Sequence, residues 1–149
     1  MTTDPAASRD AAGSVVGVDH RAAPPALRDA LSLTEDELDT FTETIRVAGV
    51  AHAILLSTCD RLEVHLVAQD PAVVAERAAG AIAEFARARG FEGPVPARTR
   101  FGVEALRHVL RVACALESRV AGEPQILGQI KAADRRARRL GTMASELDT

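Results

Sequence analysis

The chain has 149 residues, 47% of them hydrophobic, so it can bury the core of one ordinary domain or of two small lobes. Its formal net charge of -3 excludes attraction of nucleic acid by the chain as a whole, and RNA would have to be bound by a local basic patch. Aromatic residues make up only 3%, without Trp or Tyr, which argues against base stacking as the means of binding RNA.

Strands and helices are predicted to alternate in the first half of the chain. Residues 1–13 are small and polar, lack an apolar period, and are predicted to form a disordered lead. The apolar run at 15–18 predicts a first strand, which Pro24 ends in a loop. Thr34 stands three residues before a glutamate, the spacing of a capping box, and predicts a helix over about 35–47.

The next segment predicts two strands joined by a polar turn that contains Cys59. Residues 52–56 have the pattern of a buried strand, and 62–66 alternate apolar and polar residues as a half-exposed strand does. Asp70 followed by a proline predicts a helix start, and that helix ends near Gly90. This order of elements predicts an α+β fold with a small antiparallel sheet and helices, similar to part of a split βαβ sandwich.

A stretch rich in glycine and proline, residues 90–99, predicts an internal boundary. It divides a domain over 14–149 into an α+β lobe over 14–92 and a helical subdomain over 100–149. Residues 145–148 have the pattern of a fresh helix cap, which indicates that the natural protein continues beyond the given sequence.

The helical subdomain is predicted to hold two helices. The first covers about 103–120, with an inner stripe formed by Leu106, Leu110, Ala113 and either Leu116 or Glu117. The second starts after Pro124 and runs to Leu140, where Gly141 can close it. One face of the second helix carries Lys131, Arg135, Arg138 and Arg139, which form either a solvated face or a track for the phosphates of tRNA.

The cysteine content fits reduced thiols in a cytoplasmic protein. Two cysteines, Cys59 and Cys114, cannot form a disulfide framework, and no spacing in the chain predicts a metal site. The first residues lack the features of a secretory signal, and no run is apolar enough to span a bilayer.

Cys59 is the strongest candidate for chemistry. Its neighbours Ser57, Thr58, Asp60 and Arg61 are a poor setting for packing and a good one for a partly exposed thiol. A guanidinium beside a thiol favours the nucleophilic thiolate, whereas a carboxylate acts in the opposite direction. Local chemistry therefore leaves both catalysis and core filling open for Cys59. Cys114 lies in an apolar helix and is predicted to fill the core.

His108 and the segment after the first helix of the subdomain are further candidates. His108 stands between apolar residues and is either an interior histidine or a general acid or base. In the segment 122–129, Glu123 can bind the ammonium of an amino acid while Gln125 and backbone N–H groups bind the rest. The alternative for this segment is simple helix capping.

Four ordered motifs carry a family resemblance: Gly17-Val-Asp-His with Ala23-Pro24 and Leu27-Arg28, then Leu56-Ser-Thr-Cys-Asp-Arg-x-Glu63, then Leu106-Arg-His108 to Ser118, and Gly122-Glu-Pro-Gln-Ile-Leu-Gly-Gln-Ile-Lys131. Over about residues 15–149 the sequence resembles the N-terminal catalytic domain of glutamyl-tRNA reductase. The resemblance implies an NADPH-dependent oxidoreductase that converts the glutamyl ester on tRNA to glutamate-1-semialdehyde, the first committed step toward 5-aminolevulinate, haem and other tetrapyrroles.

The resemblance also implies a role for each matching residue. Cys59 is expected to take the glutamyl group as a thioester, and His108 falls on the family's activity-critical histidine. Arg61 is expected to clamp the side-chain carboxylate of the substrate through its planar fork. The remaining substrate-binding positions are Thr58, Asp60, Ser118, Glu123, Pro124, Gln125 and Gln129.

The sequence departs from the family pattern at several positions. Asp60 replaces the usual asparagine, Arg119 and Ala121 replace apolar residues, and His65 replaces a common tyrosine. No G-x-G-x-x-G fingerprint occurs, so NADPH is expected to be bound by a domain missing from this chain, as are the dimerising helices. The chain by itself is expected to form the thioester or act as an esterase, without reduction and without a metal.

The partners implied are glutamyl-tRNA and glutamate-1-semialdehyde aminotransferase, with a homodimeric parent protein, a monomeric fragment and no membrane. Two alternative hypotheses for the function stay open. One is a stand-alone, non-reducing relative that binds a ligand or a partner of tetrapyrrole synthesis, and the other is a small thiol-dependent acyl hydrolase.

Overall fold

A computed structural model of the chain describes residues 13–114 and 125–142. Four strands form one antiparallel sheet in the order β2-β3-β1-β4, which confirms the predicted α+β class. In chain order the elements are β1 (Gly13–Asp19), α1 (Pro25–Ala30), α2 (Glu35–Val47), β2 (Ala53–Ser57), β3 (Arg61–Val67), α3 (Pro71–Ala88), β4 (Arg98–Phe101), α4 (Gly102–Ala113) and α5 (Gln125–Leu140).

Local capping explains why the helix starts could be predicted. The Thr34 hydroxyl accepts the Glu37 N–H at 3.2 Å while the Glu37 carboxylate accepts the Thr34 N–H at 3.1 Å, so α2 opens with a capping box. Asp70 accepts the N–H of Val73 at the start of α3. Gly141 has a φ of 75° and follows α5, in the left-handed conformation that favours glycine.

One face of the sheet packs on α2 and α3 and forms the main core. Alternate residues of the strands point to this face, and the helices meet them with one apolar stripe each. The fully buried members include Val16, Leu62, Val64, Phe41, Ile45 and Ile82.

The opposite face of the sheet is covered by α4 and α5. A second apolar cluster joins Leu56 of β2 to Val112 of α4 and Ala133 of α5. Strand β3 is therefore covered on both sides, and Glu63, which points to this second face, is only 2% exposed. The prediction of a half-exposed strand at 62–66 was wrong because two helices lie over its polar side.

Helix α4 presents a different face to the sheet from the one predicted. Its buried residues are Ala105, His108 and Val112, whereas Leu106 and Leu110 are 59% and 58% exposed. The leucine stripe that was expected to face inward instead faces outward, because His108 has a buried polar partner on the sheet.

Two short elements were not predicted. The strand β4 has no apolar alternation and forms through its backbone pairing with β1. The helix α1 begins with Pro25 at its first position, where a missing N–H costs nothing, although the two prolines there predict a loop. Cys114 caps α4 and is exposed, so the prediction that it fills the core was also wrong.

The expected disordered lead lies almost wholly outside the described residues, as do Leu116, Glu117 and the cap at 145–148. The division into two lobes stays a prediction. Within the described ranges, no helix has both the length and the apolar character needed to cross a membrane.

Candidate active site

The turn between β2 and β3 carries Cys59 at its tip. The N–H of Thr58 donates to the carbonyl of Arg61 at 2.9 Å, and the N–H of Asp60 donates to the Thr58 hydroxyl at 3.0 Å. These two hydrogen bonds fix a tight turn from which the Cys59 thiol is exposed. The turn therefore presents a sulfur atom to solvent from a rigid strand end.

Asp60 lies directly beside this thiol. Its side chain is 5% exposed, and the thiol of Cys59 donates to its Oδ1 at 3.7 Å. A carboxylate at this position places a negative charge beside the sulfur, where an asparagine would place none. The replacement of asparagine by Asp60 thus acts directly on the sulfur.

Arg61 turns away from the solvent. It is 4% exposed, and its Nη1 donates to Glu63 Oε2 at 3.4 Å on the second face of the sheet. A buried guanidinium has a fixed orientation, which suits bidentate recognition of a carboxylate. Arg61 also makes an interaction beyond Glu63.

Glu63 joins the cysteine turn to His108. The Nε2 of His108 donates to Glu63 Oε2, and His65 Nε2 lies 3.2 Å from Glu63 Oε1. Burial alone would raise the pKa of Glu63, but the hydrogen bonds and charges of His108 and His65 outweigh it and hold that pKa well below its usual range. Glu63 is therefore ionised at neutral pH.

The ionised carboxylate fixes the tautomer of His108. An ionised carboxylate can only accept hydrogen bonds, so the Nε2 of His108 carries a hydrogen. No described residue hydrogen-bonds to the other ring nitrogen, Nδ1, which is then the acceptor in the neutral ring. The arrangement suits His108 for general acid or base chemistry at Nδ1.

Gly17 makes room for Glu63. The two residues are directly paired between β1 and β3, and a Cβ at Gly17 would lie 2.7 Å from both Glu63 Cγ and the carbonyl of Leu62. Real Cβ atoms do not approach other atoms so closely, so any larger residue would displace the carboxylate. The close approach of Glu63 thus explains why a glycine stands at position 17 in the first motif.

Arg28 brings a second guanidinium to the cysteine turn. It lines a narrow cavity together with Thr58, Cys59, Asp60 and Arg61. Its Nε is buried and has no hydrogen-bond partner among the described residues. In the sequence Arg28 stood out only as a motif position, and the signal that could have singled it out is an arginine in the last turn of the short helix that follows the motif strand.

The structure gathers only some of the predicted site residues. Thr58, Cys59, Asp60 and Arg61 share one turn, and His108 meets Arg61 through Glu63. Sequence reasoning placed neither Glu63 nor His65 in the site. Ser118, Glu123 and Pro124 lie outside the described residues, Gln125 begins α5 with an undescribed side chain, and Gln129 is half-buried on α5.

The basic face of α5 is partly neutralised. Arg138 pairs with Asp134 at 3.1 Å, and Arg139 pairs with Asp39 at 2.7 Å. Lys131 and Arg135 remain exposed. The track for tRNA phosphates stays a prediction, now carried by those two residues.

The described residues do not fit NADPH in the manner of a dinucleotide fold. Such a fold has parallel strands with a glycine-rich turn at a helix N-terminus, whereas this sheet is wholly antiparallel. Among the residues that the structure covers, no group of three or more His, Cys, Asp or Glu could hold a metal ion.

An antiparallel sheet between two helix layers, with an exposed cysteine at a strand turn beside a buried carboxylate–imidazole pair, defines a small α+β thiol domain. The model of the family described as "Glutamyl-tRNAGlu reductase, N-terminal domain" matches residues 16–149. The chain belongs to this family, which confirms the resemblance inferred from the four motifs.

Individual relatives agree with the family match. The chain is 40% identical to glutamyl-tRNA reductase of Rhodospirillum rubrum over an alignment of 134 residues. That alignment covers 88% of this chain and 30% of the relative. For the protein of that name from Myxococcus xanthus the identity is 39%, over 89% of this chain and 29% of the relative. The solved structure of glutamyl-tRNA reductase from Methanopyrus kandleri matches with a TM-score of 0.69 and 29% identity, over 91% of this chain and 30% of that one. The chain thus spans about 30% of the length of these relatives.

Proposed function

We propose that this domain carries out the acyl-transfer step of glutamyl-tRNA reduction. The sulfur of Cys59 attacks the glutamyl ester, a thioester bond forms, and the ester bond to the terminal ribose of tRNA breaks. The observation that carries this proposal is the exposed thiol at a rigid turn, linked through Arg61 and Glu63 to the imidazole of His108.

Proton transfer is assigned to His108. In this proposal its Nδ1 takes the proton of the thiol and then returns it to the departing ribose oxygen, so that no net proton is released. The ionised Glu63 stabilises the imidazolium that exists between the two transfers. Glu63 acts through His108 and is a positioning residue.

Recognition of the glutamyl group is assigned to the surroundings of the turn. Arg61 binds the side-chain carboxylate of the substrate, and Thr58 and Asp60 shape the turn that holds it. Ser118, Glu123, Pro124, Gln125 and Gln129 complete the proposed pocket for the amino acid.

The reduction itself is assigned to the parts of the relatives that this chain does not span. NADPH bound there would supply a hydride to the carbonyl carbon of the thioester, and with one proton from solvent glutamate-1-semialdehyde would leave and the thiol of Cys59 would be restored. A homodimeric parent protein, a cytoplasmic setting and transfer of the aldehyde to glutamate-1-semialdehyde aminotransferase belong to the same proposal.

Comparing two substrates tests this proposal. The chain should discharge glutamyl-tRNA much faster than a free glutamyl ester of similar reactivity, and Cys59→Ser should abolish both reactions. Equal rates on the two substrates would instead favour a general thiol-dependent acyl hydrolase. Binding of glutamyl-tRNA without any discharge would favour the non-reducing, ligand-binding relative.

A further inference from the structure

A second cavity, of about 170 Å³, lies on the same face of the sheet as the carboxylate–imidazole pair. Glu63 and Gly17 form part of its wall, and three arginines, Arg21, Arg98 and Arg100, line it together with Asp19, Ala22 and Pro96. None of these arginines belongs to the pocket proposed for the glutamyl group.

The pairing of the strands explains why a cavity exists here. Gly17 of β1 is paired with Glu63 of β3 on one side and with Arg98 of β4 on the other. Directly paired residues project to the same face of a sheet, so the glycine leaves a gap between a glutamate and an arginine. Arg100 lies two residues further along β4 and therefore projects to the same face.

The charges at this cavity are not balanced. Asp19 and Glu63 also line it, but Asp19 accepts the backbone N–H of Arg21 at 2.9 Å and Glu63 accepts from His108. Within the described residues, the side chains of Arg98 and Arg100 form neither a hydrogen bond nor an ion pair. Three guanidinium groups and two carboxylates thus line the cavity, which leaves it with a net positive charge, and the donors of the Arg98 and Arg100 side chains are available to a ligand.

We propose that this cavity binds a phosphate group of a nucleotide. Guanidinium groups match phosphate oxygens bidentately, and two of them converging on one cavity are suited to an oxyanion. A water occupies about 30 Å³ of liquid, so the cavity has space for roughly five atoms of that size, which accommodates a phosphate.

The source of the phosphate is either the 3′ end of tRNA or NADPH, and assigning it to tRNA rests on the function proposed above. A phosphate in this cavity would lie near Glu63, the residue to which His108 is hydrogen-bonded. The aminoacylated end of tRNA would then be held at both its terminal ester and a neighbouring phosphodiester.

Titration of the 149-residue chain tests the site with three probes: inorganic phosphate, an unacylated trinucleotide with the CCA sequence, and NADPH. We expect the Nε–H resonances of Arg98 and Arg100 to shift with phosphate. Arg98→Ala combined with Arg100→Ala should weaken binding about tenfold or more, as loss of charge-assisted hydrogen bonds does. Arg77→Ala combined with Arg87→Ala removes the same charge from exposed positions of α3, on the other face of the sheet, and should leave the affinity nearly unchanged.

Equal weakening by the two double variants, or no shift of the two resonances, would overturn the proposal. Tighter binding of the trinucleotide than of NADPH would assign the phosphate to tRNA, and the reverse order would assign it to the dinucleotide. Reaction of Cys59 with a small glutamyl ester separates this inference from the proposed function. This ester reaction should persist in the variant that combines Arg98→Ala with Arg100→Ala. If the unmodified chain does not react with the ester, the result would count against the proposed function and not against the phosphate site.

Discussion

His108 of α4 donates its Nε2 hydrogen to Glu63 of β3, and the two residues are 45 positions apart in the sequence. This contact fastens a helix to the second face of the sheet and turns the helix so that its leucines face outward. It also connects the imidazole, through Arg61, to the turn that carries Cys59. Positioning of the helix and orientation of the proposed general base thus depend on one carboxylate.

Glu63→Gln should slow discharge of glutamyl-tRNA by about ten- to a hundredfold, the effect expected for loss of a buried charge-assisted hydrogen bond. Since Glu63 acts through His108, the variant should also change the pH profile of the reaction. In His108→Ala, adding Glu63→Gln should cause little further loss of rate. Additive losses in the double variant would show that Glu63 acts independently of His108.

The same variant should change how stability depends on pH. The pKa of Glu63 is held below its value in the unfolded chain, so the unfolded state binds more protons in acid and stability rises with pH. The contribution of Glu63 is present above about pH 4.3, the usual value for glutamate, and is lost as pH falls toward the folded value. Between pH 5 and 3, urea midpoints of the natural chain should fall more steeply than those of Glu63→Gln. Parallel curves would contradict the depressed pKa.

Gly17→Ala should lower both stability and activity. Its Cβ would lie 2.7 Å from Glu63 Cγ and from a backbone oxygen, and overpacking of this kind costs about 1–3 kcal/mol. Gly80→Ala is the matched control, because Gly80 lies within α3 and nothing is near its Cβ position. That change should raise stability by about 0.5–1 kcal/mol. Thermal unfolding of both variants decides the point, and a tolerated alanine at Gly17 would contradict the close approach.

Asp60→Asn should make Cys59 react several-fold faster with iodoacetamide at neutral pH, because it removes a negative charge in contact with the attacking sulfur. The measurement needs a Cys114→Ser background, since Cys114 is also exposed. Asp36→Asn, in the first turn of α2, makes the same change in net charge away from the thiol and serves as the control. An unchanged rate in Asp60→Asn would remove Asp60 from control of the sulfur.

Local signals made much of the fold predictable from the sequence. The start of α2 depends on contacts between residues three apart, and the antiparallel pairing of β2 with β3 follows from the short turn between them. The inward face of α4 could not be predicted in this way. An amphipathic pattern with His108 on one side and Leu106 on the other shows two faces, and only the sheet decides which of them is buried.

The candidate site was predictable where its residues are contiguous. Thr58 to Arg61 form one turn, and their chemistry can be inferred from neighbours in the sequence. The role of Glu63 depends on contacts across the sheet to Gly17 and across the fold to His108, and neither distance is encoded in local spacing. The arginine-lined cavity likewise depends on the pairing of β4, a strand without a hydrophobic pattern.

Mass spectrometry of the intact protein tests the central claim most directly. The chain is mixed with glutamyl-tRNA in the absence of NADPH, quenched in acid and analysed, and the modified peptide is then located. The account predicts that the natural chain and Cys114→Ser gain the mass of one glutamyl group on the peptide containing Cys59, that hydroxylamine removes it as it removes a thioester, and that Cys59→Ser gains nothing. A glutamyl adduct that persists in Cys59→Ser, or that is lost in Cys114→Ser, would contradict the assignment of Cys59 as the nucleophile.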